Sequence, residues 1–451
     1  MRNGKNKATK KLRVGILFGG RSGEHEVSLL SAASVLDAID RSRFEVVPIG
    51  ITKQGRWVTA TEAERLLSGS APAGALGPSR EEAARPGLAM SAPGSLRAGD
   101  PEATAPAALL EAGEDIVVPH VPSARGAERD RGVAAGEVDQ ARLPPPRPLS
   151  FEGGLVDLQA GGATPGAAHV LSVDVLFPVL HGTFGEDGTI QGLFELAEIA
   201  YVGSGVLGSA AGMDKDIMKR LFASVKGPVK LPLVKHVTLL RGEWQTHSRK
   251  TITRVERALR YPLFVKPANL GSSVGISKAH DRAELGPAID LAARYDRKIV
   301  VEQGVGGRRG KARELEVAVL GNDRPEASVV GEIVPGKEFY DYEAKYQTEG
   351  SKLIIPAKLT RQQTRQVREM AIAAFQACDC AGLARVDFLM EPGASGRIYL
   401  NEVNTMPGFT SISMYPKLWA ASGVPYVDLI TRLIELALER RAEKDQTSYS
   451  L

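Results

Sequence analysis

The sequence predicts an α/β protein in which an N-terminal doubly wound, parallel-sheet domain precedes two α+β domains. Three observations carry this reading. Residues 12–39 run as an apolar strand, a glycine turn and a helix with 3.6-residue spacing, the opening of a doubly wound sheet. Residues 173–198 repeat that order, with a Gly-rich loop at the strand's carboxyl end. Residues 384–414 place two short apolar runs around a Gly-rich turn, as in an antiparallel hairpin. The 451 residues suffice for two or three domains.

Composition narrows the function classes. Hydrophobic content of 43% and charged content of 24% describe an ordinary globular chain. The formal charge is +4, yet Arg2, Lys5, Lys7, Lys10, Lys11 and Arg13 lie in the first 13 residues without an acid. Removing those six leaves −2, so the bulk of the chain is not expected to bind nucleic acid. The tail at 1–11 lacks the apolar stretch of a secretory signal, and no later run is long enough to span a membrane, so no membrane partner is expected. Cys378 and Cys380 are too closely spaced for a disulfide and too few for a metal; they read as buried thiols of a cytoplasmic protein.

In chain order, residues 12–18 (LRVGILF) form the first strand and residues 26–39 the first helix, joined by Gly19-Gly20-Arg21-Ser22-Gly23. This is not G-x-G-x-x-G. Glu24-His25-Glu26 follows, where two acids would repel an anion and welcome an ammonium, or simply cap the helix. Residues 44–51 supply a second strand. Residues 66–168 shift to Ala, Gly, Pro and Arg and read as a surface insertion, with strand islands at 115–121 and 155–158. Residues 173–180 (VDVLFPVL) return to buried strand, and His181 stands at its carboxyl end, where open α/β sheets bind ligands.

A second domain is expected over 204–309. Lys215, in the first turn of a helix from Met213, opposes the helix dipole and is a candidate anion ligand. Lys266 lies on strand 261–267, followed by Asn269-Leu270-Gly271-Ser272-Ser273-Val274-Gly275, a loop able to drape N–H and Oγ donors over phosphate without a P-loop. Strand 299–303 (IVVEQ) offers backbone to an adenine edge, and a basic glycine-rich excursion follows at 304–311. The third domain, 310–441, opens on the alternating strand 314–320 (ELEVAVL). A polar-aromatic loop at 339–346 resembles a lid, and an amphipathic helix spans 360–377. A closing helix spans 427–440, before a tail at 442–451.

The hairpin organises the whole. Asp387 lies on its first strand, and Glu402 and Asn404 leave the end of its second. Residues i and i+2 share a face, so two carboxylates and an amide oxygen form the oxygen-only set that suits Mg²⁺ beside phosphate. Arg385 shares Asp387's face and can bridge anionic oxygens. Two lysines, a Ser/Gly flap, an acidic hairpin and an arginine together describe an ATP site.

In order and spacing, GGRSGEHEVS, LHGTFGEDGTIQG, MDK, FVKPANLGSSVG, FYDYEAKY, LARVDF and NEVNTMPGFTSISMYP resemble the D-alanine–D-alanine ligases of the ATP-grasp superfamily. The resemblance covers residues 12–60 and 170–440, with the tail and insertion outside it. It implies a three-domain ATP-grasp architecture with nucleotide held between the two α+β domains, ATP with two Mg²⁺ (or Mn²⁺) ions, two D-alanine molecules as substrates, and a homodimer. Residue by residue, it implies that Glu26 holds the first D-alanine's ammonium and that His181 lies near the substrates. Lys215, Lys266 and Ser273 would bind ATP phosphates; Glu302 through Val305 would read adenine; Glu314 would meet the ribose; and Lys345 would approach the γ-phosphate. Ser272 and Tyr346 would latch the lid. Asp387, Glu402 and Asn404 would ligate metal, Arg385 and the Gly408 N–H would stabilise an oxyanion, and Ser413 and Met414 would engage the second carboxylate. Ligases making D-alanyl-D-lactate or D-alanyl-D-serine are the alternative.

Overall fold

The structure, a computed structural model, describes residues 11–53, 55, 57–59, 114–117, 155–157, 169–171, 173–271, 274–306, 310–334, 352–393 and 396–448. The opening pattern folds as expected. Strand β1 (Leu12–Gly19) leads through the glycine turn into helix α1 (His25–Ala38), and β2 (Phe44–Ile51) pairs parallel with β1. The apolar runs are continuous because this sheet is covered on both faces.

Two strand islands are present within the residues read as an insertion. After β3 (Trp57–Thr59), β4 (Glu114–Val117), β5 (Leu155–Asp157) and β6 (His169–Leu171) extend the sheet antiparallel from β2. With β7 (Val175–Pro178) and β8 (Ala200–Tyr201) parallel on the other side of β1, the order is β6-β5-β4-β3-β2-β1-β7-β8. The sheet is therefore mixed rather than purely parallel.

Helices α2 (Thr189–Leu196), α3 (Val206–Met213) and α4 (Lys215–Ser224) follow. The boundary expected at 204 is not where packing divides. Met218 and Phe222 of α4 belong to the core of the C-terminal sheet, and a Cβ on Gly212 of α3 would meet Thr405 at 2.6 Å. The central unit with its own core begins at β9 (His236–Leu240), continues through α5 (Arg241–Ala258), β10 (Leu263–Pro267), β11 (Ser277–Ala279) and α6 (Arg282–Tyr295), and ends at β12 (Lys298–Gln303). Its sheet order is β11-β10-β12-β9.

The C-terminal sheet has order β15-β14-β13-β16-β17, built from β13 (Arg313–Gly321), β14 (Glu326–Val334), β15 (Lys352–Ile354), β16 (Gly382–Met390) and β17 (Ile398–Asn404). Helix α7 (Arg361–Ala377) starts at a capping box between Thr360 and Gln363 and buries Val367, Met370, Ala371, Ala374 and Phe375 against this sheet. Helices α8 (Met414–Ala421) and α9 (Tyr426–Lys444) close the chain. No helix among the described residues is long and apolar enough to cross a membrane.

Helix α9 fixes the N-terminal sheet to the C-terminal one. Leu429, Ile430, Leu433 and Ile434 lie in one core with Val175 and Phe177 of β7 and with Ala318, Leu320 and Ile333 of the other sheet. Removing a fully buried leucine leaves a cavity that this rigid wedge cannot collapse. Leu433→Ala is expected to cost about 3 kcal/mol, read as a lower urea midpoint without loss of the cooperative transition.

Candidate active site

Three strands lay acids side by side. The register pairs Glu316 of β13 with Asp387 of β16, and Asp387 with Glu402 of β17. Arg385 lies opposite Asn404, on Asp387's face. Glu402 and Asn404 are within β17 rather than beyond its end, because the strand runs four residues past the expected apolar run. Between Leu400 and Glu402 the register skips Asn401, a bulge.

Arg385 partly neutralises the row. Its Nε and Nη2 donate to the two Asp387 oxygens, each at 2.7 Å, and Nε is 3.2 Å from Glu316 Oε1. Burial alone would weaken the guanidinium's charge, but Asp387, Glu316 and Glu402 outweigh it and hold its pKa well above the usual value.

Two lysines approach from other elements. Lys215, first residue of α4 beneath the Asp214 cap, donates to the Leu270 carbonyl at 3.0 Å and lies 3.6 Å from Glu402 Oε2. Lys266 on β10 donates to Glu302 Oε2 at 2.7 Å. Burial works against its ammonium, but Glu302, Glu402 and Glu314 together keep its pKa above the lysine norm. The lysines therefore flank Glu402, as an anion site requires.

The structure does not bring every expected side chain in. The Glu26 side chain is 57% exposed and pairs with Lys53, because it sits on the outer face of α1. Glu24, two residues earlier, is the acid turned inward: it is 8% exposed. A Cβ on Gly182 would meet Glu24 Oε2 at 2.8 Å and one on Gly271 would meet it at 2.9 Å. The carboxylate lies between the His181 loop and the start of the Ser/Gly flap, close against Gly182 and Gly271.

His181 is buried with both ring nitrogens engaged. Nδ1 lies 3.0 Å from the Met406 carbonyl, which can only accept, so Nδ1 carries the proton. Nε2 then accepts from Ser31 Oγ at 3.0 Å. Burial lowers the His181 pKa and keeps the ring neutral. It anchors the loop carrying Gly408, with both ring nitrogens bonded within the protein.

Glu302 is 3% exposed, its carboxylate held by Lys266 and by Lys219, whose Nζ is 2.9 Å from Oε1. Burial would raise its pKa, but the lysines hold it well below the carboxylate range. Any adenine contact here must come from main chain, with Val305 half-buried just beyond. The Met414 side chain packs against Gly331 in the core, leaving only its N–H at the start of α8 for a carboxylate. Ser413 stands at the N-cap position without a side-chain cap bond, its Oγ bonded to Thr410 and 3.2 Å from a Cβ on Gly408. Glu314 lies two residues before Glu316 on the same face of β13. Ser272, Ser273, Lys345 and Tyr346 lie outside the described residues.

Sequence reasoning named Glu24 beside Glu26 but chose Glu26, and it missed Glu316, Lys219 and Glu186. Two had a signal: Glu316 follows Glu314 at strand period, and Lys219 follows Lys215 at helical period. Glu186 is buried, accepts from the Gly182 N–H at 2.7 Å, and has its pKa pushed up to about 8 by burial and by Glu24. A carboxyl raised in the folded state binds more protons folded than unfolded, so its stabilising contribution is lost as pH rises through that value. Glu186→Gln is expected to melt higher than wild type above pH ~8, with the gap closing towards pH ~5; parallel thermal melts across pH measure this.

Oxygen chemistry fits a hard dication at the acid row. Asp387, Glu402 and Asn404 offer two carboxylates and an amide oxygen, and Asn404 Oδ1 uses one lone pair on the Met406 N–H. Among the described residues no three His, Cys, Asp or Glu side chains converge as a ready-made metal site.

Comparison with known proteins identifies the family. Family models described as D-ala D-ala ligase N-terminus and C-terminus match residues 13–120 with 125–204, and residues 226–435. The N-terminal match runs through much of the segment expected to fall outside the resemblance. The D-alanine–D-alanine ligase of Heliobacterium modesticaldum is 44% identical over 97% of this chain and 98% of its own. Ligase A of Escherichia coli is 43% identical over 96% and 97%. Among solved structures, the VanG D-Ala:D-Ser ligase from Enterococcus faecalis aligns with TM-score 0.69 and 31% identity, over 95% of this chain and 100% of that one. The D-alanine-D-alanine ligase from Coxiella burnetii gives 0.68 and 30%, over 97% of each. With the C-terminal model covering the sheet that builds the acid row, the N-terminal model covering most of the preceding chain, and relatives matching nearly end to end, the chain belongs to the D-alanine–D-alanine ligase family.

Proposed function

We infer that the protein joins two D-alanines into D-alanyl-D-alanine, converting ATP to ADP and phosphate, for peptidoglycan precursor synthesis. The supporting observation is the acid row Glu316–Asp387–Glu402 flanked by Lys215 and Lys266, with the buried Glu24 nearby. A carboxylate resists amines in water because its charge is delocalised. In this reading its oxygen attacks the γ-phosphorus, ADP leaves, and an acyl phosphate forms. The second amine attacks the carbonyl carbon, loses a proton, and phosphate departs.

Lys215, Lys266, Ser273 and Lys345 take the phosphate charge, main chain from Glu302 to Val305 takes adenine, and Glu314 takes the ribose. Asp387, Glu402 and Asn404 would hold two Mg²⁺ or Mn²⁺ ions, which when bound neutralise phosphate oxygens. Arg385 and the Gly408 N–H would donate to the oxyanion that forms as the carbonyl carbon becomes tetrahedral. Ser413 and the Met414 N–H hold the second carboxylate. Glu24 takes the first ammonium in place of Glu26, and Ser272 and Tyr346 latch the lid that excludes water. The free, buried Cys378 and Cys380 suit a reducing cytoplasm. A homodimer is part of the reading, tested by sedimentation.

Phosphate release measured with ATP, Mg²⁺ and D-alanine alone, then with D-serine or D-lactate added, tests the substrate. D-Alanine alone is expected to sustain turnover. Turnover that requires D-serine or D-lactate would replace this reading with the alternative.

A further inference from the structure

Lys219 has no role in the reaction above, yet it is a cation with 1% of its surface exposed. Such a charge is costly to bury without partners. It sits one helical turn after Lys215, on the same helix α4. Its ammonium pairs with Glu302 Oε1 at 2.9 Å and donates to the Asn401 carbonyl at 3.1 Å. The other Glu302 oxygen accepts from Lys266. Asn401 is the bulged residue immediately before Glu402. One buried ammonium thus joins the helix of Lys215, the carboxylate that holds Lys266, and the bulge that aims Glu402.

We propose that Lys219 is a positioning residue for nucleotide binding: it occupies half of the Glu302 carboxylate, so that Lys266 keeps positive charge for phosphate, and it pins the bulge before Glu402. This rests on the reading that Lys266 binds phosphate. Lys219, Glu302 and Lys266 together carry one net positive charge. Without Lys219, Glu302 and Lys266 close into a neutral pair, and in a site shielded from water that difference acts strongly on a polyphosphate. The Asn401 carbonyl would also lose its donor beside Glu402.

Calorimetric ADP–Mg²⁺ binding and steady-state kinetics on the full chain test this with K219M, the double variant K219M/E302Q, and K266M. K219M is expected to weaken ADP binding by about tenfold and to raise the KM for ATP in proportion, with the KM for D-alanine unchanged. Adding E302Q removes the carboxylate that captures Lys266 and is expected to restore most of that affinity. A role in packing alone gives no such recovery. Should K219M fail to fold, K219Q keeps a donor for Asn401 while removing the charge, and carries the same expectation with and without E302Q. Wild-type ADP affinity in the single variant, or a double variant as weak as the single, overturns the proposal. K266M separates the two layers. If K266M also binds ADP normally, the phosphate reading fails; if K266M loses binding while K219M does not, only the role of Lys219 fails.

Discussion

Glu402→Gln is expected to lower kcat by about a thousandfold or more, equivalent to ~4 kcal/mol of lost transition-state stabilisation. Glu402 lies opposite Asp387, 3.6 Å from Lys215, and contributes to the charge of both Lys266 and Arg385. Glutamine keeps the shape and removes the charge, so cations gathered for phosphate would face one another with less compensation. The fold should persist, because the Glu402 side chain is 27% exposed and the apolar face of β17 is untouched. Phosphate release and dipeptide formation, with a thermal melt as control, measure this. Residual turnover above about a tenth of wild type would remove Glu402 from the phosphoryl step.

Glu24→Gln is expected to be nearly as damaging, but in a different parameter. The buried carboxylate between Gly182 and Gly271 is the acid placed to hold an ammonium. Losing a charge-assisted contact in such a place costs about 3 kcal/mol, roughly a hundredfold in kcat/KM for D-alanine, with the KM for ATP little changed. Glu26→Gln serves as the contrast. Glu26 is exposed and its contact is a surface pair with Lys53, so its kinetics should match wild type. If the two variants exchanged phenotypes, the assignment of the ammonium to Glu24 would be wrong.

This pair shows what was legible in the sequence and what was not. Two acids flanking a histidine at a helix start announce a polar site, but which one faces inward depends on where the helix begins. It begins at His25, which leaves Glu24 in the turn and Glu26 on the outer face. The hairpin was readable because strand alternation fixes faces without knowledge of the rest of the fold. Glu402 and Asn404 share a face as that alternation requires, but Glu402 comes opposite Asp387 only because the register skips Asn401. Glu316 was equally available on the alternating strand ELEVAVL, but its value emerges only once β13 is known to neighbour β16.

Long-range packing was not legible. Helix α4 looked like the start of the central domain, yet Met218 and Phe222 pack into the C-terminal core. Helix α5 was not recognised, because its sequence is mostly polar and its backbone departs from helical geometry at His247. His181 at a strand's carboxyl end read as a candidate for the ligand site. Only coordinates reveal that Met406 and Ser31 use both its nitrogens. Glu302 is similar: its position after an apolar run suited adenine, while its side chain serves two buried lysines.

In the proposed reaction the first D-alanine is activated as an acyl phosphate at the acid row before the amide forms. Supplying D-alanine labelled with ¹⁸O in both carboxylate oxygens, and analysing the released phosphate by mass spectrometry, tests it directly. One labelled oxygen is expected in phosphate for each dipeptide made, carried over from the acyl-phosphate bridge. Unlabelled phosphate alongside normal dipeptide formation would contradict it.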